Sequence, residues 1–275
     1  MPGGIAANPP LPTGRAADRA AGVRICPRSP LLAGLLLASA LALPPGPARA
    51  ACDLPLPSAA GTAALPRVAA SLDGESPRLD VLVVGSATVL GGHDRPSGGF
   101  PEAMAAALQA ARPGLRVELT VHGRRGEMAT AMLALLHREL AARRFALVVW
   151  QTGTMEAVRR VPPAAFAGTV AEGERLVHDS HADLVLVDPL YSAVLEARAD
   201  LAPYRAAIFA TLADGAADGS GTAVLDRYGL MQGWAQAGLF NIDHTPKPQR
   251  RAAMARLDGC IGEMLARRVL AGAAK

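Results

Sequence analysis

Two hydroxyls and one imidazole stand where they could do nucleophilic chemistry. Ser86 and Thr88 follow directly on the apolar run Leu79-Asp80-Val81-Leu82-Val83-Val84-Gly85, and His244 lies in a late loop beside Asp243. A serine activated by a histidine, with a carboxylate to orient the ring and backbone N–H groups to receive an oxyanion, performs acyl transfer. Gly126 and Gly153 follow two further strand-like segments, where a tight turn can present such N–H groups. Thr154 and Glu156 add polar groups beside Gly153. Other chemistries have weaker footing. Gly85 to Gly92 is glycine-rich but lacks both the Gly-x-Gly-x-x-Gly spacing and a P-loop lysine, which argues against nucleotide binding. His178 and His181, with Asp179 and Asp183 nearby, read as the polar end of a helix rather than a metal pair. No metal and no cofactor is expected. Arg124-Arg125 could meet an anionic substrate or form a solvated turn, and both readings stay open. Met128 and Met132, one helical turn apart, read as core.

The elements that must position these groups follow from hydrophobic periodicity. The run ending at Gly85 reads as a buried parallel strand, because four consecutive aliphatics leave no polar face. Phe100-Pro101-Glu102 opens a helix to about Arg112, stopped by Pro113-Gly114. Leu115 to Val121 is a second strand, Glu127 to about Arg143 a helix, and Phe145 to Trp150 a third strand that ends in a loop from Gln151 to Thr154. A helix from Pro163 to about Asp179 precedes a fourth strand, Leu184 to Val187. Pro203 to Ala213 is helical, Asp214 to Gly221 a loop, and Thr222 to Leu225 a fifth strand. Tyr228 to Ala237 is a short helix, Phe240 to Pro248 a loop, and Gln249 to about Leu270 the closing helix. Five strands alternating with helices predict an α/β fold, a three-layer α/β/α sandwich around a five-stranded parallel, flavodoxin-like sheet. In such sheets ligands sit at the carboxyl ends of the strands. The candidate residues cluster in those loops.

Their order resembles that of the SGNH (GDSL-type) hydrolases. Gly85-Ser86-Ala87-Thr88 after strand one, Gly126 after strand two, Gly153-Thr154-Met155-Glu156 after strand three and His244 before the last helix fall in that family's sequence, over roughly residues 78 to 270. Phe100-Pro101, Trp150-Gln151 and Asp226-Arg227-Tyr228 add to the likeness. The resemblance implies ester hydrolysis without a cofactor: a serine in the first block, a glycine N–H and an asparagine amide as oxyanion donors, and Asp-x-x-His supplying the base. This chain departs at three of those positions. Ala87 stands at the nucleophile, Met155 at the oxyanion asparagine and Asn241 at the orienting carboxylate. The loss of a triad nucleophile costs about 10⁶ in rate and of one oxyanion donor about 10²–10³. An amide for the carboxylate costs about 10⁴ by favouring the wrong imidazole tautomer. What remains is the backbone N–H of Ala87 and of Gly126, and the His244 ring. Ser86, one residue before the nucleophile position, is either a displaced nucleophile or a turn hydroxyl. The expectation is a protein that is non-catalytic or very weak and keeps a pocket, lined by Gly153, Thr154, Glu156 and Asp243, for a small-molecule or acylated ligand. The alternatives are an active serine esterase on acylated carbohydrate or lipid, using Ser86 and His244, and a structural or partner-binding envelope protein.

Composition sets the address. With 51% hydrophobic and 19% charged residues in 275, the chain can bury one substantial core, and aromatics at 4% make that core aliphatic. Arg15, Arg19, Arg24 and Arg28 precede an uncharged run from Leu31 to Leu43, then a proline-rich stretch and Ala48-Arg49-Ala50. That is the order of a signal peptide over residues 1–50, and the apolar run is too short to span a membrane. Residues 51–77 read as an irregular N-terminal arm and residues 78–275 as the domain. The expected location is periplasmic or extracellular, with no membrane span after cleavage. Ala50-Ala51-Cys52 also admits a lipoprotein reading, against which Arg49 stands. The leader carries five arginines and one acid, so the formal charge of +4 belongs to it and the remainder is neutral. Nucleic-acid binding therefore loses its electrostatic argument. Cys52 and Cys260, at opposite ends of the remainder, are expected to pair in an oxidising compartment. Oligomeric state stays open.

Overall fold

The computed structural model describes Cys52 and residues 64–91, 98–218 and 221–274. The expected leader, most of the arm and the tip of the first loop lie outside the described residues. Five strands form one sheet in the order β2-β1-β3-β4-β5: β1 (Arg78–Gly85), β2 (Arg116–Gly123), β3 (Leu147–Gln151), β4 (Asp183–Val187) and β5 (Thr222–Leu225). Every pairing is parallel, with Val81 of β1 opposite Leu119 on one side and Leu147 on the other. The five strands match the expected positions and order in the chain.

Alternation along the strands builds two cores. Leu79, Val81 and Val83 of β1 join Leu147, Val149, Val185 and Val187 on one face. That face is covered by α1 (Pro66–Leu72), α2 (Phe100–Ala111), α8 (Arg227–Gln236) and α9 (Lys247–Ala273). Leu82, Val84, Val148 and Trp150 face the opposite way, under α3 (Ala129–Ala142), α5 (Pro163–Asp179) and α7 (Ala202–Asp218). The strands β1, β3, β4 and β5 are apolar on both faces because both faces are covered, while β2, at the sheet edge, is only half-buried. The α2 and α9 helices approach closely at Gly262: a Cβ there would lie 2.5 Å from the Ala103 Cβ and 2.6 Å from the Phe100 carbonyl oxygen. Cys52 and Cys260 form a disulfide that ties the start of the described chain to α9, with 5.2 Å between their Cα atoms.

Three local differences from expectation have identifiable causes. The segment 51–77 is not irregular throughout, since Pro66–Leu72 is helical. Pro66 sits in its first turn, Val68 and Leu72 are buried, and the Asp183 carboxylate accepts the N–H groups of Arg67 and Val68, each at 2.9 Å. That cap comes from a strand more than a hundred residues away and leaves no local signature. The expected loop from Asp214 is helical to Asp218, because the alanines there propagate the helix through Asp214 and Gly215. Two short helices, α4 (Thr154–Arg159) and α6 (Ala193–Glu196), are below the length at which periodicity can be read.

Candidate active site

The strand order reverses direction between β1 and β3, so the crevice of this fold opens where their carboxyl ends diverge. Ser86 leaves β1 in an extended conformation and precedes a 3₁₀ turn over Ala87–Leu90. Its hydroxyl lies 3.0 Å from the Thr88 hydroxyl and accepts a hydrogen bond from Gln151 Nε2 at 3.2 Å, while the Thr88 hydroxyl donates to Gln151 Oε1 at 2.7 Å. Gln151 is buried at the end of β3. Its amide thus stitches the first block to the third. The second block joins by backbone, with Arg124 N–H donating to the Gly85 carbonyl at 3.4 Å. Gly126 takes φ +70°, a left-handed conformation that glycine adopts without cost, and a Cβ there would lie 4.0 Å from Met155 Cε. The three blocks that the sequence order suggested therefore do converge, with Met155 against Gly126.

Glu156 is the residue whose role the sequence concealed. It is buried, and its carboxylate accepts the N–H of Gly153 at 3.0 Å and of Ala129 at 2.6 Å. One carboxylate thereby caps α4 from within and the start of α3 from across the crevice, each site favourable to negative charge. It is a brace between the second and third blocks and not an open pocket wall. The clue was its spacing, three residues after Gly153. Gly153 holds φ +93° at the cap of α4. Thr154 is half-buried, and its hydroxyl is shielded from solvent without a hydrogen-bond partner among the described residues.

Residues 51–275 match the Non-GDSL lipase-like family. The chain belongs to that family. Its structure is similar to TesA, at 20% identity and a TM-score of 0.54 over 69% of this chain and 99% of that one. It is also similar to an acetyl xylan esterase from Geobacillus stearothermophilus, at 13% identity and 0.54 over 70% and 94%, and to a lipolytic protein of the G-D-S-L family from Desulfitobacterium hafniense, at 13% and 0.51 over 69% and 99%. At these identities the likeness shows the fold. No curated protein matches the chain in sequence.

The fourth element of the family order, His244, is exposed. Its Nδ1 lies 3.1 Å from Asn241 Oδ1. The same oxygen accepts the backbone N–H groups of Asp243 at 3.1 Å and His244 at 3.2 Å, so the amide must present oxygen and not nitrogen. That corrects one expectation. Facing that oxygen, the ring is suited to the Nδ1–H tautomer, the one a base requires, and what Asn241 lacks is the charge to stabilise an imidazolium. Asp243 does not turn toward the ring, since its carboxylate accepts from the Ser192 hydroxyl at 2.6 Å and the Ala193 N–H at 2.8 Å. It therefore anchors the loop before α9 to the loop after β4. Among the described residues no hydrogen bond joins His244 to Ser86, Ala87 or Thr88. A shallow cavity of about 300 Å³ flanks His244, lined by Asn241, Ile242, Pro246, Gln249 and Arg256 among others.

A charged network absent from the sequence reading holds the ends of β4 and β5. Arg205 donates from Nε to Asp188 at 2.8 Å and from Nη2 to Asp226 at 2.9 Å, and its guanidinium stacks 4.1 Å above the Tyr228 ring. Burial, reinforced by the charge of Asp226, pushes the Asp188 carboxyl up to about 7. The Tyr228 hydroxyl donates to Glu196, and burial together with that carboxylate moves it to about 12. Among the described residues there is no cluster of three metal-ligating side chains, and His178 instead meets the Thr222 hydroxyl at 2.9 Å. No helix of the described residues is long and apolar enough to cross a membrane.

Proposed function

We propose that this protein is an exported member of its family that binds a small ligand at a hydrolase-like site without hydrolysing esters at a useful rate. The observation that carries the reading is the state of Ser86. With Ala87 at the nucleophile position, Ser86 and Thr88 are the hydroxyls nearest in sequence, and both are committed to each other and to Gln151 in the turn. Met155 supplies a methyl group where the family has an amide donor, and Asn241 leaves an imidazolium without a counter-charge. Support for export is the three-part leader, the Cys52–Cys260 disulfide and a family match that begins at residue 51. A residual esterase is the second reading, favoured by the Nδ1–H tautomer of His244, which leaves Nε2 available as a base.

Hydrolysis of short-chain aryl esters separates the two. The wild type should turn over barely above the buffer rate. Ala87→Ser combined with Met155→Asn and Asn241→Asp should give measurable turnover, since the backbone donors at position 87 and Gly126 are retained. Ready hydrolysis by the wild type, abolished in Ser86→Ala, would replace this reading with the esterase.

A further inference from the structure

Around Gly126, beside Met155, the structure places a cation next to an apolar side chain. The Cβ position of Gly126 lies 3.5 Å from Arg159 Nη2 as well as 4.0 Å from Met155 Cε, so a guanidinium and a methyl group both border the glycine of the second block. Arg159 ends α4, is exposed, and has no carboxylate within ion-pair distance among the described residues. The acids beside Gly126 and on α4 are already engaged. Glu156 caps Gly153 and Ala129, and Glu127 pairs with Arg124 at 3.1 Å. Val158, next to Arg159, is 46% exposed, one of three large hydrophobics so exposed among the described residues.

We propose that the site recognises a carboxylate with an apolar substituent, the class of acid an ester hydrolase releases, with Arg159 as its charge partner. This rests on reading the site as non-hydrolytic. A guanidinium presents paired N–H donors that match a planar carboxylate, and the Gly126 backbone lies beside it. Met155 and Val158 offer apolar contact to the substituent. A neutral ester would leave the Arg159 charge unmatched, so acid should be preferred over ester. The chemistry reverses what the family's own serine, asparagine amide and charged dyad would do at the positions of Ala87, Met155 and Asn241: those groups generate and stabilise a transient oxyanion, whereas Arg159 favours a permanent anion.

The test is calorimetric binding of butyrate, octanoate and benzoate to the wild-type protein, with their methyl esters and inorganic phosphate as comparators. At low ionic strength at least one carboxylate should bind tenfold or more tighter than its methyl ester. Affinity should fall in 0.5 M NaCl and drop about 10- to 100-fold in Arg159→Ala, the loss expected for a charged hydrogen bond. Arg159→Lys should retain part of it, and Arg112→Ala, on a different element, should change nothing. Equal binding of acid and ester, no binding of any carboxylate, or binding indifferent to Arg159→Ala would overturn the proposal. Phosphate binding more tightly than every carboxylate would overturn the carboxylate class. In each of those cases an absence of ester hydrolysis leaves the non-catalytic reading standing, while turnover of the methyl esters would remove that reading itself.

Discussion

Single side chains decide what this site can do, and several do so by being occupied elsewhere. Gln151 holds Ser86 and Thr88, Ser192 and Ala193 hold Asp243, and Glu156 holds two helix starts. Glu156 is the most consequential of these for stability. Replacing it with alanine leaves the buried N–H groups of Gly153 and Ala129 without an acceptor, and the cost should be on the order of 2–3 kcal/mol. Urea unfolding of Glu156→Ala against wild type measures it, and an unchanged midpoint would show that water replaces the carboxylate without loss. The proposed departures at Ala87, Met155 and Asn241 rest on the order of the blocks in the sequence. The engagement of Ser86, the orientation of the Asn241 amide and the capping by Glu156 were not legible there, because each depends on a partner from another segment or on which atom of a side chain faces it.

Among the elements, the strands were readable since β1, β3, β4 and β5 are apolar runs bounded by turn residues, and the longer helices carry proline starts and amphipathic spacing. The α1 helix escaped because its cap is the distant Asp183. Burial raises the Asp183 carboxyl to about 6, opposed by the Val68 and Arg67 N–H groups and by the charge of Arg67. A folded-state value above the ordinary 3.8 means that the folded protein holds this proton more tightly than the unfolded chain does. The resulting stabilisation is complete below about pH 4 and is lost as pH rises through about 6. Asp183→Asn, which keeps an acceptor for α1 without a titrating group, should lose that part of the dependence. Melting temperatures of both proteins between about pH 4 and 7 check it: the wild type should fall relative to the variant as pH rises, and parallel curves would contradict the assignment.

For the whole molecule, the sheet order and two aliphatic cores define a family fold whose activity does not follow from it. The disulfide spans 208 residues and closes nearly the entire described chain into one loop. Chain entropy puts its contribution at about 5 kcal/mol as an upper figure. Cys52→Ser with Cys260→Ser should therefore lower the denaturation midpoint substantially without changing the strand and helix content seen by circular dichroism. A double variant as stable as wild type would mean that α1 and α9 hold the N-terminal segment unaided. This pairing was accessible from the sequence through the cysteine count and the leader alone, whereas the ion network of Asp188, Arg205 and Asp226 was not, since its members lie on three separate segments that only the closed sheet brings together.

Whether this family member lacks an activated serine is read directly by covalent labelling. Wild-type protein incubated with a fluorophosphonate probe and followed by intact mass should show no adduct, while the Ala87→Ser, Met155→Asn, Asn241→Asp variant should gain one adduct that maps to position 87. An adduct on the wild type that maps to Ser86 and disappears in Ser86→Ala would overturn the non-hydrolytic reading.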